Sequence, residues 1–161
     1  MIEELVLFKS TYETERNKPM PDKFHAYVQQ QLLFLIKLHY RHVYQILPEL
    51  NILFKEEKRV PDLSLFPLGT IDFKRNETNV SKTPIGIIEI LSGQQALSPL
   101  IVKLEEYMNA GVKSYWLVLP ELKSIYVFHT SYESLIFDRK SLLKDDVLGI
   151  ELSLQEVFEA M

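Results

Sequence analysis

The chain has 161 residues, 47% of them hydrophobic and 25% charged, with a net charge of −4 and no cysteine. That composition excludes disorder, disulfides and thiolate metal sites, and the acidic balance argues against a strong non-specific polyanion binder. Met1-Ile2-Glu3-Glu4 lacks the basic start of a signal peptide, and no window approaches the ~18 apolar residues of a membrane span, so one cytoplasmic domain over residues 1–161 is expected, with no membrane partner.

In chain order, Leu5 to Phe8 is a candidate short strand, and Asn17-Lys18-Pro19-Met20-Pro21 is a loop, because its prolines remove donors and bias their neighbours away from helix. Asp22 stands where an N-cap belongs, ahead of a long amphipathic helix that Pro48 ends at Leu47. Leu50 to Phe54 and Val60 to Phe66 then read as a hairpin with a charged tip at residues 55–59. Leu68 to Thr83 is polar and turn-rich, a surface excursion.

The most informative stretch begins at Gly86. An apolar strand runs to Ser92, and Ser98-Pro99 announces a helix that Gly111 stops. A second apolar strand, Ser114 to Leu119, follows, and by a right-handed crossover the two strands lie parallel. Ser124 to His129 makes a second hairpin with it, Leu135 to Phe137 adds an edge strand, and Ser153 with Glu156 forms a capping box for a terminal helix, Leu154 to Ala160. The fold class is α/β: a central mixed sheet with helices on both sides.

One carboxylate, Glu89, sits inside the strand Gly86-Ile87-Ile88-Glu89-Ile90-Leu91. Burying it ionised without a partner costs several kcal/mol on the order-of-magnitude scale for such groups, so it is protonated, paired or holding a cation. Asp62, after Pro61, opens the preceding main strand. Two acids on neighbouring strands can converge on one hard cation, which wants oxygen ligands, and such an ion can polarise a phosphate and acidify a water.

Pro61-Asp62, Glu89-Ile90-Leu91-Ser92, Lys103 with Tyr107 one helical turn on, Gly111-Val112 and Tyr115-Trp116 occur in that order. This succession resembles the Uma-type family of bacterial endonuclease-like proteins, within the PD-(D/E)xK nuclease superfamily and its restriction-endonuclease-like fold. The resemblance covers roughly residues 18 to 130. It implies Mg²⁺ or Mn²⁺ as cofactor and DNA as substrate. It also implies Asp62 and Glu89 as metal ligands with the Ile90 carbonyl, and Lys103 as the electrostatic stabiliser. The superfamily's lysine two residues past the acid is Leu91 here, and its role is expected to have moved to Lys103. Pro99 and Leu119 replace aspartates that the family often carries.

Other readings stand beside these. Asp62 alone would be a strand-opening turn residue, and Lys103 alone a lysine bordering an apolar helix stripe. Tyr107 is a core residue before it is a catalytic one. His25 and Gln29, one turn apart, are accessory candidates on a helix face. Ser92 has no histidine–acid pair placed to activate it. Lys55, Lys58, Arg59, Lys74, Arg75 and Lys82 either rim a phosphate cleft or form a solvated face. Two functions follow: a metal-dependent endonuclease, or a catalytically inactive module of the same fold that binds nucleic acid or regulates. A homodimer through Ser124 to His129 and the edge beyond is expected, because duplex cleavage needs two sites. Asp62, Glu89 and Lys103 are expected in one cleft, the ammonium roughly 4–6 Å from a carboxylate oxygen.

Overall fold

The computed structural model describes Lys18 and residues 20–159, so the strand expected at Leu5 to Phe8 lies outside the described residues. In chain order the elements are α1 (Lys23–Tyr40), β1 (Tyr44–Pro48), β2 (Ile52–Phe54), β3 (Glu57–Arg59), β4 (Leu63–Pro67) and β5 (Gly86–Ile90). There follow α2 (Ser98–Asn109), β6 (Ser114–Leu119), a 3-10 turn (Pro120–Leu122), β7 (Ser124–Phe128), β8 (Ser134–Asp138), β9 (Leu142–Asp145), β10 (Ile150–Ser153) and α3 (Leu154–Phe158). Six strands form one sheet in the order β1-β4-β5-β6-β7-β8. β5 and β6 are parallel and joined through α2, and every other neighbouring pair is antiparallel. The expected mixed sheet with helices is therefore present.

β5 is buried at every residue, as a strand covered on both faces must be. Its alternation sends Ile88 and Ile90 into one core with Leu32, Ile36, Trp116 and Val118, under α1 and the β9–β10 hairpin. Ile87 joins the other core, with Leu100, Leu104, Tyr107 and Tyr115, under α2. Glu89 shares the Ile87 side. A Cβ on Gly86 would come 3.0 Å from Leu148 Cδ1, so glycine opens the strand where the β9–β10 connection packs on it. Gly111, at φ +104°, provides the left-handed stop after α2.

Several boundaries differ from the sequence reading. The long helix ends at Tyr40 rather than Leu47, and its last stretch becomes β1, where Ile46 pairs with Leu65 and Leu47 with Ser64. Pairing with β4 overrides the helical spacing, which was carried partly by Phe24, Leu38 and Val43, all exposed. The first hairpin turns at Lys55-Glu56, with Lys55 at φ 55°, and pairs β2 with β3 instead of Val60 to Phe66. Pro61 has no N–H to continue that ladder, and β4 joins the main sheet after it. Helix α2 begins at Ser98, one residue earlier than expected, with Leu97 rather than Ser98 at the cap position and no side-chain cap bond. Ser153 also makes no such bond, so the expected capping box does not form. Ser124 to His129 is an interior strand between β6 and β8, and cannot supply an edge contact; β8 is the edge.

Candidate active site

Asp62 immediately precedes β4 and is 1% exposed; Glu89, in β5, is 3% exposed. The two strands are hydrogen-bonded neighbours, with Leu63 opposite Ile88, which brings both acids to the same end of the pair. Asp62 Oδ2 accepts from the Ile90 N–H at 2.7 Å, so the first acid is tied to the backbone next to the second. Glu89 Oε1 accepts from the Tyr107 hydroxyl at 3.1 Å. Tyr107 is fully buried and packs against the Phe54 and Tyr115 rings, so it serves the core and the acid together.

The other face of Asp62 is cationic and comes from α1 and the segment before it. Lys18 Nζ lies 2.6 Å from Asp62 Oδ1, and His25 Nε2 lies 3.1 Å from the same oxygen. His25 is buried rather than on an exposed helix face. Gln29, one turn on, donates to the Asp62 carbonyl at 2.9 Å and to Glu49 Oε1 at 3.2 Å. This geometry depends on how α1 starts. Asp22 caps it by accepting from the His25 N–H at 2.8 Å, and its second oxygen accepts from the Gly93 N–H at 2.7 Å, pinning the helix start to the loop after β5. Burial raises the Asp22 carboxyl, but these amide bonds outweigh it and the pKa falls below the ordinary value.

The two site acids are driven apart. Burial pushes Asp62 up, yet the His25 hydrogen bond and the Lys18 charge overcome it and hold the carboxyl well below the usual range. Glu89 goes the other way: burial first, then the charge of Asp62, push it up to about 7 against the charges of Lys18 and Lys103 and the Tyr107 hydrogen bond. Lys103 is half-buried on α2; its charge reaches Glu89, but among the described residues it forms no ion pair within 4.0 Å. Of the basic residues weighed between a cleft rim and a solvated face, Arg59 is engaged with Glu106 at 2.9 Å and Lys82 donates to Thr70 at 3.1 Å.

Sequence reasoning missed Lys18 and Glu49. Lys18 was hidden in a stretch legible only as a proline-rich loop; its place just ahead of the helix that carries His25 was the available signal. A second buried acid, Asp145, was missed as well. It lies at the end of β9, where Ser114, Trp116 and His129 converge on it. Serine, histidine and aspartate thus meet there, but the carboxylate stands between the other two, so this is not a relay that activates a hydroxyl.

A cavity of about 290 Å³ lies beside α1, lined by Phe24, Tyr27, Pro120, Lys123 and Phe158 among others, and carries neither acid. No helix among the described residues is long and apolar enough to cross a membrane.

The sequence profile of a family described as "Uma2: Putative restriction endonuclease" matches residues 13–155. A similar solved structure is that of a "putative nuclease belonging to DUF820" from Anabaena variabilis ATCC 29413. It superposes with a TM-score of 0.75 at 22% sequence identity, over 87% of this chain and 83% of that one, a likeness of fold. Comparison with curated proteins finds no match.

Proposed function

From the chain's place in the Uma2 family, to which it belongs, we propose that it is a divalent-metal-dependent endonuclease that hydrolyses phosphodiester bonds of DNA. The observation that carries this reading is the junction of Asp62 and β5: a buried aspartate bonded to the Ile90 N–H, one residue from a buried glutamate. Structural burial does not call for two acids at one point, since like charges brought together in low dielectric oppose each other.

The donor set suits a hard cation. Mg²⁺ is commonly held by one or two carboxylates with waters completing the shell, and Asp62, Glu89 and the Ile90 carbonyl would be the protein oxygens here. Among the described residues no group of three or more His, Asp or Glu is arranged to hold a metal, so ligation would rest on this smaller set. Asp62 already attracts one cation, the Lys18 ammonium, which supports the fit. A divalent ion held there supplies charge neutralisation at the scissile phosphate and lowers the pKa of a bound water.

The chain's own groups have distinct tasks. Ile90 N–H and His25 fix the Asp62 carboxylate and keep it ionised. Tyr107 orients Glu89, and Lys103 adds positive charge near it, favouring the ionised form and opposing charge build-up on the phosphate. Leu91, in place of the usual lysine, and the closure of both acids from solvent favour a second reading, the inactive nucleic-acid-binding module. The test is nicking of supercoiled plasmid in Mg²⁺ or Mn²⁺ by wild type and Glu89→Ala. We expect cleavage by wild type alone; equal rates would remove the enzymatic reading and leave the fold intact.

A further inference from the structure

The Lys18 ammonium is seated as a metal ion would be. Its Nζ lies 2.6 Å from Asp62 Oδ1, donates to the Val60 carbonyl at 3.0 Å and stands 3.7 Å from Glu49 Oε2. Two carboxylates and a backbone carbonyl around one cation are the oxygen donors a hard divalent ion selects. The lysine side chain is only 9% exposed, and the Asp62 oxygen it holds is the one turned away from the Ile90 N–H. The other acid, Glu89, feels the same ammonium. Asp62 is thus closed over by a cation delivered from outside the sheet, on the segment Lys18-Pro19-Met20-Pro21 ahead of α1.

Taking the divalent-metal reading above as its basis, we propose that Lys18 is the resident counter-cation of Asp62, displaced from that oxygen when a divalent ion binds, and so the residue that sets the metal affinity of the site. Two cations cannot share Oδ1 at contact distance without strong mutual repulsion in a poorly solvated site. An ion entering must move the ammonium away, and the free energy of the Lys18–Asp62 pair is subtracted from metal binding. Lys18 is a positioning residue by this account. It keeps the buried acid ionised and compensated while no metal is bound, and its displacement opens the way to both carboxylates. A lysine that assisted the metal would have the opposite effect on affinity.

Isothermal titration of the full-length protein with Mn²⁺, without nucleic acid, separates the two. Lys18→Met keeps the apolar stem and removes the charge; Lys18→Gln keeps a neutral hydrogen-bond donor on a stem one atom shorter; Lys18→Arg keeps the charge. Near-UV circular dichroism establishes that each is folded, and the glutamine variant carries the test if the methionine variant does not fold. The expected result is Mn²⁺ binding at least about tenfold tighter in the neutral variants, with Lys18→Arg near wild type. Wild-type binding with equal or weaker binding in the neutral variants would overturn the inference and leave the nuclease reading standing. Absence of Mn²⁺ binding in every variant would instead remove the metal-dependent reading, and this inference with it.

Discussion

Two carboxylate sites are buried among the described residues, and their surroundings are opposite. Asp145 is saturated: Ser114 Oγ and Trp116 Nε1 (2.7 Å) donate to Oδ2, the amides of Val147 and Leu148 donate to Oδ1 at 3.0 Å each, and His129 Nε2 lies 2.9 Å from Oδ1. Burial raises that carboxyl, but the bonds from Ser114, Trp116 and Leu148 win and its pKa is lowered. Its partners belong to β6, the end of β7 and the turn after β9, so the group staples the β9–β10 hairpin to the sheet. Among the described residues the Glu89 side chain has one hydrogen bond, a like-charged neighbour, and a pKa pushed up. A carboxylate buried for structure collects neutral donors until its charge is met. On the function proposed above, Glu89 is instead buried for chemistry, left short of positive charge that a bound cation would supply.

The largest effect expected from this contrast is on Asp145. Asp145→Ala strands the indole N–H, the Ser114 hydroxyl and two amides, and should cost roughly 3–5 kcal/mol in urea denaturation, the range for breaking a buried charged network. Next is Glu89→Gln, which should leave stability unchanged or raise it by about 1 kcal/mol, because it removes an undercompensated buried charge.

The pH dependence should split the same way. Between pH 4.5 and about 7, Glu89 is protonated in the folded state and ionised in the unfolded one. Folding therefore binds a proton, and the Glu89 contribution to stability falls as pH rises; Glu89→Gln should flatten that slope. Asp145 has the opposite sign. Its contribution is present above the unfolded value of about 3.9 and is lost as pH falls through its lowered folded value, a loss that Asp145→Asn should abolish. A comparably small effect is that of Tyr107→Phe, which removes one hydrogen bond from Glu89 and should cost about 1 kcal/mol while pushing the Glu89 pKa higher still.

Where the sequence was legible, the reason was local. A glutamate amid Ile87, Ile88 and Ile90 has few explanations, and an aspartate after proline at a strand start lies where the topology can bring the two together. The sheet followed from two apolar runs separated by a helix with a proline start and a glycine stop. What was not legible depended on long-range pairing. Tyr44 to Leu47 continues a helical spacing, and only β4 makes it a strand. Asp145 stands between Lys144 and Asp146, and nothing local shows that it meets Trp116 from β6. Lys18 belongs to the same class: its partner Asp62 is far along the chain and reached only once α1 is capped against Gly93.

The claim that one acid is buried for chemistry and the other for structure is tested most directly by measuring stability and Mg²⁺-dependent plasmid nicking together for Glu89→Gln and Asp145→Asn. The account predicts a Glu89→Gln protein as stable as wild type that does not nick, beside an Asp145→Asn protein that is less stable but nicks at the wild-type rate per folded molecule. A stable Glu89→Gln protein that nicks as fast as wild type would contradict it.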